Sequence, residues 1–134
     1  MSAERKVTYL DSSAIVKLVI AEAESDALRR HLSTRRPLVS SALARTEVAR
    51  ALMPSGPQAL ARGHDVLRRI QLLRINDRVL GEAGAMEPAE LRSLDAIHLA
   101  SARQLGASIA HIVTYDERMA DAARASGWAV AAPR

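Results

Sequence analysis

The stretch VTYLDSSAIVKL, residues 7–18, joins a short run of β-forming residues to a helical pattern, and an aspartate stands at the junction. Residues 7–10 have the composition of a buried strand, and the two hydroxyl residues after Asp11 are typical of a helix start. The stretch therefore predicts a strand that enters an interior and ends at a carboxylate.

The alternation of strand and helix continues along the chain. Strands are predicted at 7–10, 38–40, 72–75 and 112–114, with a weak closing strand at 128–130. Helices are predicted at 13–20, 24–34, 42–53, 57–70, 77–86, 94–105 and 117–126, the last of them ended by Gly127. Strands that alternate with helices indicate an α/β fold with a parallel sheet.

Length and composition limit the possible classes of protein. A chain of 134 residues predicts a single domain over 1–134, and 49% hydrophobic with 25% charged residues is typical of a folded domain. The absence of cysteine excludes disulfides, thiolate metal sites and thiol nucleophiles. Asp11 and Lys17 interrupt the one N-terminal stretch that imitates a signal peptide. No stretch reaches the roughly 18 apolar residues of a membrane span, so we expect a cytoplasmic protein with no membrane association.

The net charge is +4 and the sequence pI is about 10.3. Lys6 and Lys17 are the only lysines, so 17 of the 19 basic residues are arginine. Arginine suits phosphate contacts, which permits a polyanionic partner such as RNA. A coding bias toward alanine and arginine explains the same composition, so charge alone leaves the partner open.

Four acidic residues occupy positions where a reactive site is expected. Asp11 and Asp116 follow two separate predicted strands, and ligands of open parallel sheets bind outside the carboxyl ends of the strands. Glu47 borders the apolar stripe of its helix, and Asp95 begins a helix that is apolar on most sides. We therefore expect Asp95 to face a cleft.

Each acid also has an ordinary structural interpretation. Asp95 and Asp116 suit helix caps or first-turn acids, and Glu47 has Arg45 and Arg50 nearby as ion-pair partners. Four acids gathered at one place, however, would raise each other's pKa, and a bound cation resolves that repulsion.

The available ligands select the kind of metal. Carboxylate oxygens without cysteine favour Mg²⁺ or Mn²⁺ and do not favour zinc. The four histidines lack the spacing of paired ligands. His98 lies one turn after Asp95, but we interpret it as a helix-packing or surface residue.

Four segments in order along the chain resemble the motifs of PIN-domain ribonucleases and, more narrowly, of the VapC toxins of bacterial toxin–antitoxin pairs: YLDSSA (9–14), RTE (45–47), LDAIHLA (94–100) and VTYD (113–116). The resemblance implies a three-layer α/β/α sandwich around a short central parallel sheet. It also implies an endoribonuclease that depends on Mg²⁺ or Mn²⁺.

By this resemblance Asp11, Glu47, Asp95 and Asp116 are the catalytic and metal-binding residues, supported through hydrogen bonds by Ser12 and Thr114. Asp116 is the position at which the family varies most, so Glu117 or Asp121 is an alternative there. The implied partners are an RNA substrate, a cognate VapB-type antitoxin and a second copy of the chain in a homodimer.

Three other interpretations are weighed beside the toxin. A PIN-domain nuclease that processes RNA without an antitoxin has the same chemistry, and a non-catalytic PIN-fold binding module has the same fold. A receiver domain would form an aspartyl-phosphate at Asp11, but such domains need a late lysine that this chain lacks.

Overall fold

The computed structural model describes residues 6–134, so residues 1–5 of the predicted domain lie outside the described part. Its five strands are β1 (Val7–Leu10), β2 (Leu38–Ser41), β3 (Gln71–Leu73), β4 (Ile109–Val113) and β5 (Val130–Ala131). They form one sheet in the order β3-β2-β1-β4-β5, and every neighbouring pair is parallel. The predicted α/β class is confirmed, whereas one domain over 1–134 stays a prediction.

Within residues 6–134, seven α-helices connect or follow the strands, together with two single-turn 3₁₀ helices at Met53–Ser55 and Gly106–Ser108. The α-helices are α1 (Ser12–Val19), α2 (Ser25–Ser33), α3 (Ala44–Leu52), α4 (Pro57–Leu67), α5 (Asp77–Gly84), α6 (Ser93–Arg103) and α7 (Glu117–Ala125). All seven were predicted, and most end one to three residues earlier than predicted.

The closing strand begins later than predicted because of the way α7 ends. Gly127 has φ +95°, a conformation that glycine adopts without steric cost. The Gly127 N–H donates to the Arg124 carbonyl at 2.9 Å and the Trp128 N–H to the Ala123 carbonyl at 3.0 Å. These two bonds form a Schellman cap. Trp128 therefore belongs to the end of the helix, and β5 begins at Val130 instead of residue 128.

Side chains on the strands alternate between two hydrophobic cores. Leu10 and Val113 point into a core formed with α1 to α4, whereas Tyr9 and Ile112 point into a second core formed with α6 and α7. Alternation across a strand is the geometric rule, and here both faces are covered by helices. The predicted three-layer α/β/α arrangement is confirmed.

The order of the strands determines where a site can form. From β1 the chain proceeds to β2 and β3 on one side of the sheet, and then returns to place β4 and β5 on the other side. The direction of winding thus reverses between β1 and β4, which opens a crevice at their carboxyl ends. Asp11 and Asp116 lie at this crevice. Among the described residues, no helix has the length and apolarity needed to cross a membrane.

Candidate active site

A cleft of about 340 Å³ opens at the carboxyl ends of β1 and β4. All four predicted acids line it: Asp11, Glu47, Asp95 and Asp116. They come from the end of β1, the first half of α3, the first turn of α6 and the residue before α7. The fold therefore brings together four side chains that lie far apart in the sequence.

Asp11 is the most buried of the four, with 3% of its surface exposed. Its carboxylate caps α1 by accepting the Ala14 N–H at 3.0 Å, and it accepts hydroxyl hydrogen bonds from Ser13 at 2.6 Å and Thr114 at 2.5 Å. Burial raises the Asp11 pKa, and the hydrogen bonds only partly oppose that shift. The ionised carboxylate is therefore held in place at a cost to the folded state.

Ser13 and Thr114 also join the ends of β1 and β4. The Thr114 hydroxyl accepts the Asp116 N–H at 3.1 Å, and the Ser13 hydroxyl accepts the Tyr115 N–H at 3.1 Å. Each hydroxyl thus donates to Asp11 and accepts from the segment after β4. This arrangement fixes Asp11 relative to Asp116. Thr114 was among the predicted supporting residues, but Ser13 was not.

Glu47 is held by two other donors. Its Oε1 accepts from the Ser12 hydroxyl at 2.6 Å and lies 2.6 Å from His98 Nε2. Burial acts to raise the Glu47 pKa, but these bonds outweigh it, so the pKa is lowered and the carboxylate stays ionised. Within residues 6–134, Glu47 is hydrogen-bonded to His98, and the alternative pairing with Arg45 or Arg50 is not observed.

His98 is buried at 2% exposure in the second core, beneath the cleft. Its Nδ1 lies 2.8 Å from the Tyr9 hydroxyl, whose ring belongs to the core facing α6. A tautomer with the proton on Nε2 donates to Glu47 and accepts from Tyr9, which satisfies all three groups. His98 therefore packs the helix, as predicted, but it also orients a site residue, which the prediction missed.

Asp95 and Asp116 share a cation. Arg92 donates from Nε to Asp95 Oδ2 at 3.0 Å and from Nη2 to Asp116 Oδ2 at 2.5 Å. The other oxygen of Asp116 caps α7 by accepting the Met119 N–H at 3.1 Å. Asp116 is thus both a helix cap and a cleft residue, so the structural interpretation and the functional one do not exclude each other.

The alternatives to Asp116 lie elsewhere. Glu117 and Asp121 line a neighbouring surface pocket and not the cleft, and Asp121 lies 3.6 Å from Arg124 in an exposed ion pair. Asp116 is therefore the fourth acid by position.

The four acids share one cleft without forming a closed metal cage. Within the described residues, no three acidic or histidine side chains converge as they stand to hold an ion. The donor set does fit a hard cation, because carboxylate and hydroxyl oxygens are the ligands of Mg²⁺ and Mn²⁺. The buried, ionisable Asp11 likewise requires a nearby positive charge to remain ionised at low cost.

Sequence reasoning missed His98 and Arg92 as site residues, although both lie one helical turn from Asp95. Positions i−3 and i+3 share a helix face, so both residues were placed to reach the same cleft as Asp95. The partner residues Tyr9 and Asp116 come from other elements, and no local spacing indicates them.

Comparison with known proteins agrees with the fold. Residues 8–125 match the family model described as the PIN domain. The chain is 58% identical over 125 residues to Ribonuclease VapC46 of Mycobacterium tuberculosis, covering 93% of this chain and 96% of that protein. It is 43% identical over 129 residues to Ribonuclease VapC35 of the same organism, with the same coverage of both chains.

Two solved structures share the fold. One is the M. tuberculosis VapC20 toxin, described as cleaving the sarcin–ricin loop, with a TM-score of 0.76 at 17% identity over 94% of this chain and 99% of that one. The other is a toxin–antitoxin complex from Klebsiella pneumoniae, with a TM-score of 0.71 at 19% identity over 95% and 98%. The fold, the motifs and the sequence identity agree, and the chain belongs to the PIN-domain family as one of its VapC ribonucleases.

Proposed function

We propose that this protein is a VapC-type toxin that hydrolyses RNA phosphodiester bonds as a Mg²⁺- or Mn²⁺-dependent endoribonuclease. One observation supports this most directly: four carboxylates from four elements line a single cleft at the point where the winding of the sheet reverses. Membership of the VapC ribonucleases supplies the reaction class.

The proposed roles follow from how each acid is held. Asp11, Asp95 and Asp116 would ligate the metal directly or through water, since all three line the cleft. Glu47 would ligate the metal or orient the attacking water, and its lowered pKa keeps it available as an acceptor. When bound, the ion neutralises charge that develops on the phosphate and activates water for attack.

The supporting roles belong to hydroxyl groups. Ser12 fixes Glu47, and Thr114 fixes Asp11 relative to Asp116. A metal site works only when such partners hold its ligands in orientation. We add Ser13 and His98 to the predicted supporting set, because each contacts one of the acids directly.

The proposed partners are an RNA substrate, a VapB-type antitoxin and a second copy of this chain, with action in the cytoplasm. A narrow acidic cleft is complementary to a basic side chain, which is how an antitoxin segment would block it. The VapC family and the solved toxin–antitoxin complex of similar fold support this partnership.

The test is cleavage of pooled cellular RNA by purified protein freed of any bound partner, with Mn²⁺, with Mg²⁺ and with chelator. Wild type is compared with Asp11→Asn and with the matched control Asp26→Asn, which changes an 87% exposed side chain on α2. We expect cleavage only with metal, in wild type and in the control but not in Asp11→Asn. Equal cleavage by Asp11→Asn would refute the assigned site.

The same experiment separates the alternatives. Metal binding without cleavage of any RNA in the pool would indicate a narrower substrate. Neither metal binding nor cleavage would favour a non-catalytic binding module. Cleavage by a protein for which no antitoxin co-purifies would favour an RNA-processing nuclease.

A further inference from the structure

Arg92 is the one basic side chain among the residues that line the acidic cleft, apart from the buried His98. It is the residue before α6, where the backbone is extended with φ −68° and ψ 149°. Its guanidinium spans from Asp95, three residues away, to Asp116, 24 residues away on another element. An ordinary surface ion pair within one helix would involve only Asp95.

The oxygen that Arg92 contacts on Asp116 is the one that does not cap α7. Asp116 uses Oδ1 to accept the Met119 N–H at the start of α7, and it presents Oδ2 to Arg92. The Arg92 guanidinium also contacts Oδ2 of Asp95. A divalent ion that bound these two oxygen atoms would compete with Arg92 for them.

Arg92 can leave the acids at low cost. Its side chain is 55% exposed, and the hydrogen bonds of its guanidinium within residues 6–134 all go to the two aspartates. The two aspartates are less exposed, at 12% for Asp95 and 28% for Asp116. Water can solvate a released guanidinium, which keeps each pair close to the small contribution typical of solvent-exposed ion pairs, and a cation that replaced Arg92 would keep the aspartates paired. Asp11 and Glu47 are different, because packed neutral donors hold them.

The released guanidinium would remain at the mouth of the cleft, since the backbone of Arg92 is part of the rim. A planar guanidinium binds phosphate with two parallel hydrogen bonds. When a metal takes over the two aspartates, the cleft gains positive charge at the place where a phosphodiester must enter.

We propose that Arg92 is a substrate-binding residue that is held on Asp95 and Asp116 until a divalent ion displaces it, and that it then grips an RNA phosphate. This inference rests on the proposed metal-dependent ribonuclease function. It assigns Arg92 two measurable effects, competition with the metal and contact with the substrate.

The first measurement is Mn²⁺ affinity without RNA, read from the electron paramagnetic resonance signal of free Mn²⁺. Arg92→Gln is compared with wild type and with Arg118→Gln, which makes the same charge change on the neighbouring helix α7 without contacting either aspartate. If Arg92 covers the acids in about four of five molecules, its removal tightens the apparent Mn²⁺ affinity about fivefold. We expect less than about a twofold change in Arg118→Gln, because an exposed charge that contacts neither aspartate is screened by salt.

The second measurement is binding of a fluorescent mixed-sequence RNA 20-mer with Ca²⁺ in place of the catalytic ion, followed over a range of salt concentrations. Loss of one phosphate contact to single-stranded RNA reduces the slope of log affinity against log salt by about 0.7. We expect this reduction in Arg92→Gln, together with weaker binding. Arg92→Lys, which keeps the charge without the planar fork, recovers part of the affinity.

The outcomes separate this inference from the proposed function. Mn²⁺ binding that is no tighter in Arg92→Gln than in Arg118→Gln would overturn the competition, and an unchanged salt slope would overturn the phosphate contact. In both cases wild type would still bind Mn²⁺ and the proposed function would stand. A wild-type protein that bound no Mn²⁺ would overturn both.

Discussion

The four acids of the cleft form two pairs that are held by different means. Asp11 and Glu47, the inner pair, accept hydrogen bonds from hydroxyl groups, a backbone N–H and the His98 ring. Asp95 and Asp116, the outer pair, share the half-exposed guanidinium of Arg92. One site thus combines a rigid half and an exchangeable half.

The difference explains how a site with four negative charges can fold without a bound metal ion. The inner pair is fixed by neutral donors from packed elements, so its geometry does not depend on any ion. The outer pair is partly neutralised by one guanidinium that belongs to the chain itself. Carboxylates without either kind of partner would repel each other and destabilise the fold.

The largest loss of RNA cleavage should come from replacing a single acid of either pair. We expect Asp11→Asn and Asp95→Asn each to lose at least a hundredfold in metal-dependent RNA cleavage, about 2.7 kcal/mol in barrier height, since each would remove a ligand of the metal. The measurement is initial cleavage rate with Mn²⁺ for each variant. Full activity in both would show that the cleft is not the site.

The next largest loss of cleavage should come from replacing a residue that holds the inner pair in place. His98→Leu removes one of the two donors to Glu47 and leaves the buried Tyr9 hydroxyl without its partner His98. We expect a 10–100-fold loss of cleavage, as is typical when the partner of a metal ligand is removed. The unpaired hydroxyl should cost about 1–3 kcal/mol of unfolding free energy, measured by urea denaturation.

The double variant Tyr9→Phe with His98→Leu sharpens this test. Removing both partners leaves no unsatisfied hydroxyl, so stability should recover in part. Cleavage should stay low, because Glu47 still lacks the bond from His98 and keeps only the one from Ser12. If cleavage recovered together with stability, His98 would have only a packing role.

A smaller loss of cleavage is expected from replacing Thr114, the residue that bonds to one acid of each pair. Thr114→Val keeps the shape of the side chain but loses both the bond to Asp11 and the acceptor for the Asp116 N–H. We expect about 1–3 kcal/mol of lost unfolding free energy and a loss of cleavage at the lower end of the range for His98→Leu. Thr114→Ser, which keeps the hydroxyl, is the control. Equal behaviour of the valine and serine variants would exclude the hydroxyl bridge.

The smallest expected effect is a pH dependence of the unfolding free energy, which Asp11 of the inner pair causes. Burial raises the pKa of Asp11 above its ordinary value, so the folded state binds that proton more tightly than the unfolded state. The contribution of Asp11 to stability therefore falls as pH rises from the unfolded pKa, about 3.9, through the higher folded pKa. Asp11→Asn should be more stable than wild type at neutral pH.

The stability difference between Asp11→Asn and wild type should shrink as the pH falls toward the ordinary aspartate range. Urea denaturation between neutral and acidic pH measures it, with Asp26→Asn as the exposed control. A difference that did not change with pH would mean that the Asp11 carboxylate is not penalised by burial.

Much of the fold was predictable because its signals are local. Runs such as residues 7–10 mark strands, and Gly127 marks the end of α7. The predicted ends of elements were less accurate, because they depend on caps such as the bond from the Trp128 N–H to the Ala123 carbonyl. Of the site, Asp11 and Asp116 were predictable from their positions after strands, and Asp95 from its place on a buried helix.

The sequence by itself determined the alternation of strands and helices, the motifs that place the chain among the VapC ribonucleases, and the acids that follow the strands. Only the tertiary structure decided what holds those acids. Thr114 reaches Asp11 across 103 positions, and His98 reaches Glu47 across 51. Such contacts arise from the sheet order β3-β2-β1-β4-β5, whereas periodicity in a sequence reports only neighbours along one helix or strand. Long-range pairing therefore decided which acids Arg92 and His98 contact beyond their own helix.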